Sequence, residues 1–213
     1  MNKIVNNNEQ KMSRCKINKD KYHHGDLKET MIITGVKLLA QEGAEKFSLR
    51  KLASMCDVSH AAPYKHFKNK EELILAIKEY IDERFTEAIL EVADKYKNDP
   101  MKRITEIGKK YVSFMVENKD YFKLLFFNSS EYKIKVNMNN IENYDYEPFK
   151  IFKKCAEEAL RFMNSDPIKD GKNILAMWAT VHGLASMFTN GIIVYEGNYL
   201  ELVEQILIGN VSF

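Results

Sequence analysis

The chain has 213 residues, 45% of them apolar and 29% charged, with only 9 Gly and 4 Pro, which excludes a low-complexity chain and leaves little turn-forming material for an all-β fold. Its net charge of +2 hides an asymmetry: residues 1–70 hold 14 Lys and Arg against 7 Asp and Glu, whereas the remainder holds 18 against 23. That division suits a first third that meets a polyanion, the bland alternative being a merely solvated basic face. Cys15, Cys56 and Cys155 are odd in number and widely spaced, with no secretory apolar segment near the N-terminus, so the expected compartment is a reducing cytoplasm.

Residues 1–24, rich in Asn, Lys and Gln, are expected to form a flexible basic arm. A first helix is then expected from an Asp26 cap, with Leu27, Met31, Ile32, Val36, Leu38 and Leu39 as its apolar face and Gly43 as its stop. Ser48 starts a second, short helix through Leu49, Leu52, Ala53 and Met55. After a break at Cys56 to Val58, Ser59 is expected to cap a third from His60 to about Phe67, with Pro63 near its first turn. Asn69 with Glu72 reads as a capping box for a long fourth helix carrying Ile74, Ile77, Ile81, Phe85, Ala88, Val92 and Tyr96.

Further helices are expected over Met101–Glu117, Lys119–Phe127, Glu147–Asn164, Pro167–Tyr195 and Tyr199–Ile208, with residues 128–145 as an Asn-rich loop. The stretch Ile174–Tyr195 has no charged residue over a membrane-spanning length. Thr180, His182, Ser186, Thr189 and Asn190 make it too polar for a lone span, so a buried helix is expected and no membrane. One stripe of it, Ile174, Val181, Leu184, Phe188 and Ile192, is a candidate face toward a sister chain while Trp178 and His182 face the core; the pattern leaves open which stripe does which.

Two short helices joined by a tight turn and flanked by longer ones have the order of a helix-turn-helix. His60, Tyr64, Lys65 and His66 crowd a helix too short to bury them all, and Ser59, Ala61 and Ala62 let its start approach base edges. The plainer reading makes Tyr64 and His66 core-edge residues. Lys70 opens the fourth helix, where a cation opposes the helix dipole and is expected to face an outside anion. Cys56, His60 and His66 with His23 and His24 lack paired metal-ligand spacing, so no metal is expected. No nucleophile, paired-carboxylate or phosphate-loop signature is present, and neither an enzyme nor a cofactor is expected.

The ordered segments Tyr22–Leu27, Ser48–Ala53, Val58–Phe67 and Asn69–Leu73 resemble the tetracycline-repressor (TetR) family. Trp178-Ala-Thr-Val-His182-Gly183 resembles the C-terminal signature of its WHG-type members. The resemblance implies an all-α protein: an N-terminal three-helix helix-turn-helix domain over residues 25–70, joined by a long helix to a C-terminal helical dimerisation and ligand-binding bundle over 71–213. It implies that Ser48, Tyr64 and Lys70 hold phosphates while Ser59, His60, Ala61 and Lys65, with His66 beside them, lie nearest the bases. The aromatic and Met-rich set Tyr111, Phe114, Met115, Phe122, Leu125, Phe126, Met177, Trp178 and His182 is either plain core or, by the resemblance, the lining of a pocket for a small apolar effector. The expected function is a homodimeric transcriptional regulator on palindromic operator DNA, a repressor released by its effector, with activation left open. The alternative is a helical small-molecule-binding protein or enzyme whose basic N-terminus is incidental.

Overall fold

The computed structural model describes residues 24–127, 141, 146–165 and 167–210, and over these it is built from helices with no strand. The basic arm and His23 lie outside the described residues, as does the expected loop 128–145 apart from Ile141, which is buried.

α1 (His24–Lys46) opens two residues before Asp26, which is therefore inside the helix and not its cap. Gly43 does break it: at φ 75° and ψ 166° it occupies a region open essentially to glycine alone. One further turn follows, with the Phe47 N–H donating to the Gly43 carbonyl at 3.2 Å. Ser48 caps α2 (Leu49–Met55) by accepting from the Lys51 N–H at 3.3 Å, and Asp57 reverses the chain with a left-handed φ of 55°.

The third helix expected over His60–Phe67 contracts to a 3-10 turn, Pro63–Lys65. Pro63 has no N–H to give Ser59, and the Ala62 N–H takes that carbonyl at 2.9 Å in a tighter i to i−3 bond. Ser59 therefore contributes its backbone and does not cap with its side chain. α3 (Lys70–Lys95) begins as expected: Asn69 Oδ1 accepts from the Glu72 N–H at 2.8 Å, and the Glu72 carboxylate accepts from the Lys68 N–H at 2.6 Å.

The 26 residues of α3 span about 39 Å at 1.5 Å per residue. They bury Leu73, Ile77, Ile81, Phe85 and Ile89 along one face, so a single rigid element serves the core at both ends of the molecule. A Cβ at Gly35 would stand 2.7 Å from Ile77 Cδ1; glycine there lets α1 and α3 approach closely. α4 (Pro100–Glu117), capped by Asp99, is central and packs against α3, α6 (Glu147–Phe162), α7 (Pro167–Thr189) and α8 (Tyr199–Asn210). Between α4 and α6 the expected helix Lys119–Phe127 divides into a single turn, α5 (Lys119–Phe122), and a π-helical turn, Lys123–Phe127.

α7 stops at Thr189 and not at Tyr195. Gly191, at φ 69°, lets the Ile192 N–H reach back to the Met187 carbonyl at 2.9 Å, the glycine-terminated end that satisfies the last carbonyls. The stripe suggested for a sister chain is also corrected. Ile174, Val181 and Leu184 are buried within the single chain, Phe188 packs on Tyr199, and Ile192 lies past the helix. The outward face instead carries Ala176, Ala179 and Gly183, with open space beside the last. Among the described residues no helix is long and apolar enough to cross a membrane.

Candidate functional site

The head is a small apolar mount carrying a polar turn. Met31, Phe47, Leu52, Cys56 and Phe67 are buried in it, and Val58 packs against them half-buried. Ala62 and Pro63 anchor the turn inward, which leaves Ser59, His60, Ala61, Tyr64 and Lys65 exposed around it; His66 is half-buried against Phe67. Tyr64 is 57% exposed, so it is no core-edge residue. Ser48 stands exposed at the N-terminus of α2, where backbone N–H groups and the positive helix end favour an anion.

Lys70 departs from expectation. Its ammonium donates to the Ala44 carbonyl at 2.9 Å, so the charge that opposes its own helix dipole answers the C-terminal end of α1. Lys51 is likewise engaged, with Glu42 of α1. Arg50, which sequence reasoning passed over, is exposed in the first turn of α2 beside Ser48. Its signal was present in the sequence, since a residue two places after an N-cap shares the anion-facing end of the helix.

The second group lies in the bundle. Tyr111, fully buried on α4, shares a hydrogen bond of 2.9 Å between its hydroxyl and His182 Nδ1, so His182 finds a side-chain partner. Trp178 meets Tyr111 edge-on at 5.1 Å and, from α6, Phe149 at 5.0 and Phe152 at 5.1 Å. The Phe126 ring stands edge-on to His182 at 4.7 Å, and Phe85 of α3 bridges Tyr111 and Phe114 at 5.1 and 5.0 Å. Burial raises the Tyr111 hydroxyl and lowers the His182 imidazole, so both are neutral at pH 7 and the bond joins uncharged partners.

The structure thus gathers Tyr111, Phe114, Phe126, Trp178 and His182 into one ring cluster. Met115 is buried. Met177 points elsewhere, lining with Ile104, Gly108, Phe152, Val181 and Leu207 a space of about 20 Å³ between α4, α7 and α8, which is room for about one water. Phe85, Phe149 and Phe152 are members that sequence reasoning did not place. The spacing of Phe149, Phe152, Ala156 and Ala159 marks an inward helical face, but periodicity does not say which partner that face meets.

Residues 32–77, the span from α1 into α3, match the family model described as bacterial regulatory proteins, tetR family. This head is similar to the N-terminal segment of the TetR family. An uncharacterized HTH-type transcriptional regulator of Bacillus subtilis, YerO, is 31% identical over 100 residues, covering 46% of this chain and 34% of that protein. The chain spans less than half the length of the curated relatives it matches. Beyond the matched segment the likeness is one of fold. A TetR-like regulator from Rhodococcus sp. RHA1 superposes with a TM-score of 0.66 at 13% identity, over 90% of this chain and 99% of that one. The regulator FadR from Bacillus subtilis, solved in complex with stearoyl-CoA, does so with a TM-score of 0.64 at 14% identity, over 86% and 97%. The all-α architecture, a small helical head on a helical bundle, is therefore common to this chain and those proteins.

Proposed function

We propose that the chain is a non-enzymatic, ligand-responsive regulator of transcription that acts in the cytoplasm as a homodimer on palindromic DNA. The observation that carries this reading is the head: an exposed Tyr64 and Lys65 on a rigid turn, beside a helix N-terminus, within a segment matching a regulatory family model. Ser48, Tyr64 and Arg50 are assigned to phosphates, and Ser59, His60, Ala61 and Lys65 to base edges, with His66 supporting the turn. Lys70 reaches a phosphate only by leaving Ala44. Head residues 25–70 and sensor residues 71–213 are joined through α3, and the exposed Ala176 and Ala179 of α7, with the half-buried Gly183 open beside them, support a close helix contact with a second copy.

The effector reading places a small apolar ligand among Tyr111, Phe114, Met115, Phe126, Trp178 and His182, with Met177 at the neighbouring space. These rings contact one another, so a ligand that enters among them replaces ring contacts and its binding is coupled to a shape change. Repression relieved by the effector is the direction proposed. Acyl-coenzyme A thioesters are the first compounds to test, because FadR shares the fold and was solved with one. The test is selection of a duplex from random sequence by the full-length protein, followed by titration with and without acyl-CoA. A selected palindrome whose Kd rises with the thioester supports the reading; no selectable duplex refutes it.

A further inference from the structure

We propose that Lys123 is a positioning residue that ties the state of the His182 core to the DNA-reading head through the end of α1. The inference rests on the regulator reading above and adds to it a route that bypasses α3. The π-helical backbone of Lys123–Phe127 is a rare geometry that recurs at functional positions. On its inner side Phe122, which precedes it, and Phe126 flank the His182 ring at 5.5 and 4.7 Å. On its outer side the Lys123 ammonium donates to the Ala40 carbonyl of α1, 83 residues away.

Ala40 has a physical reason to accept. It lies three residues before the break at Gly43, among the last carbonyls of the regular helix, which lack normal partners and carry the negative end of the dipole. Ala44, just past the break, accepts from Lys70 at 2.9 Å. The end of α1 is therefore held by two ammonium groups, one from the head's own α3 and one from the sensor. α1 also packs on α5 and on the π turn, so Lys123 fastens an existing contact and does not bridge open solvent. Because α1 supplies Met31, Val36 and Leu39 to the core and packs on α2 and α3, a displacement of Phe126 from His182 moves the π turn, Lys123 with it, and α1 against the rest of the head.

The test is a double-mutant cycle on Kd for a duplex selected by the wild-type full-length protein. His182→Ala removes the ring that Phe122 and Phe126 flank, and should change Kd by at least about threefold in the wild-type background. In the Lys123→Met background the same substitution should change Kd by less than about 1.5-fold, since groups acting through one another are not additive. Lys123→Arg, which keeps the cation, should restore the full factor. A merely structural Lys123 lowers the melting temperature and leaves the His182→Ala factor unaltered, which overturns the proposal. An unchanged Kd for His182→Ala in the wild-type background overturns it as well. Should Lys123→Met fail to fold, Lys123→Gln is read by the same factor. If the wild type selects no duplex, the regulator reading falls and takes this proposal with it.

Discussion

The head and the sensor bundle place their aromatic and titratable residues in opposite ways. In the head, Tyr64, Lys65 and His60 stand out from a turn anchored inward by Pro63 and Phe67. In the sensor, Tyr111, Phe122 and Phe126 pack against His182, and Trp178 meets Tyr111 edge-on. An exposed aromatic on a rigid mount contributes little to stability and much to recognition, because its contacts form only when a partner arrives. A closed ring cluster does the reverse: it stabilises the chain until a ligand competes for the same contacts.

That contrast is sharpest when each region is truncated. Phe85→Ala, which empties the bridge between Tyr111 and Phe114, should destabilise the protein by about 3–5 kcal/mol in denaturant unfolding. Tyr64→Ala should change stability by no more than about 0.5 kcal/mol while weakening DNA binding by roughly tenfold, about 1.4 kcal/mol. If Tyr64→Ala unfolds the chain, the turn is part of the core and the contrast fails. Tyr111→Phe keeps the packing but strands His182 Nδ1, and about 1–3 kcal/mol should be lost in the same unfolding assay.

The pH dependence follows from the direction of the His182 shift. Burial lowers its pKa, so the unfolded chain takes up a proton before the folded one does. Its contribution is fully present above about pH 6.5, the ordinary histidine value, and is lost as pH falls below it. Thermal melts should show this loss, and His182→Phe should flatten that part of the profile; an unchanged profile would place the titration elsewhere. The smallest effect belongs to Gly191→Ala, where a Cβ at φ 69° should cost on the order of 1 kcal/mol and fray the end of α7, as hydrogen exchange of Ile192 would report.

What the sequence revealed depended on how local the causes were. The Asn69–Glu72 capping box, the Ser48 cap and the Gly43 break rest on neighbouring residues, and they stand where expected. The third helix was over-extended because its periodicity ignored the carbonyl that Pro63 cannot pair. The π turn left no trace in the apolar run Leu124–Phe127, since an extra residue per turn changes phase and not composition. For the site, exposure of the Tyr64 turn was readable from a helix too short to bury its large residues. The destinations of Lys70 and Lys123 were not, because both reach α1 across distant sequence, to carbonyls made available by a glycine break. The side of α7 buried in the core depended on where α4 and α6 sit, information that no single helix holds.

If the head binds nucleic acid through its exposed turn, fluorescence anisotropy with a selected duplex will report it. Titrations of the wild type, Tyr64→Ala and Lys65→Ala at two salt concentrations should show affinity falling steeply with salt, as counterions are released. Both variants should bind more weakly at unchanged melting temperature, and Lys65→Ala should also relax the preference at one base position. Wild-type affinity in both variants, or binding indifferent to salt, would contradict the account.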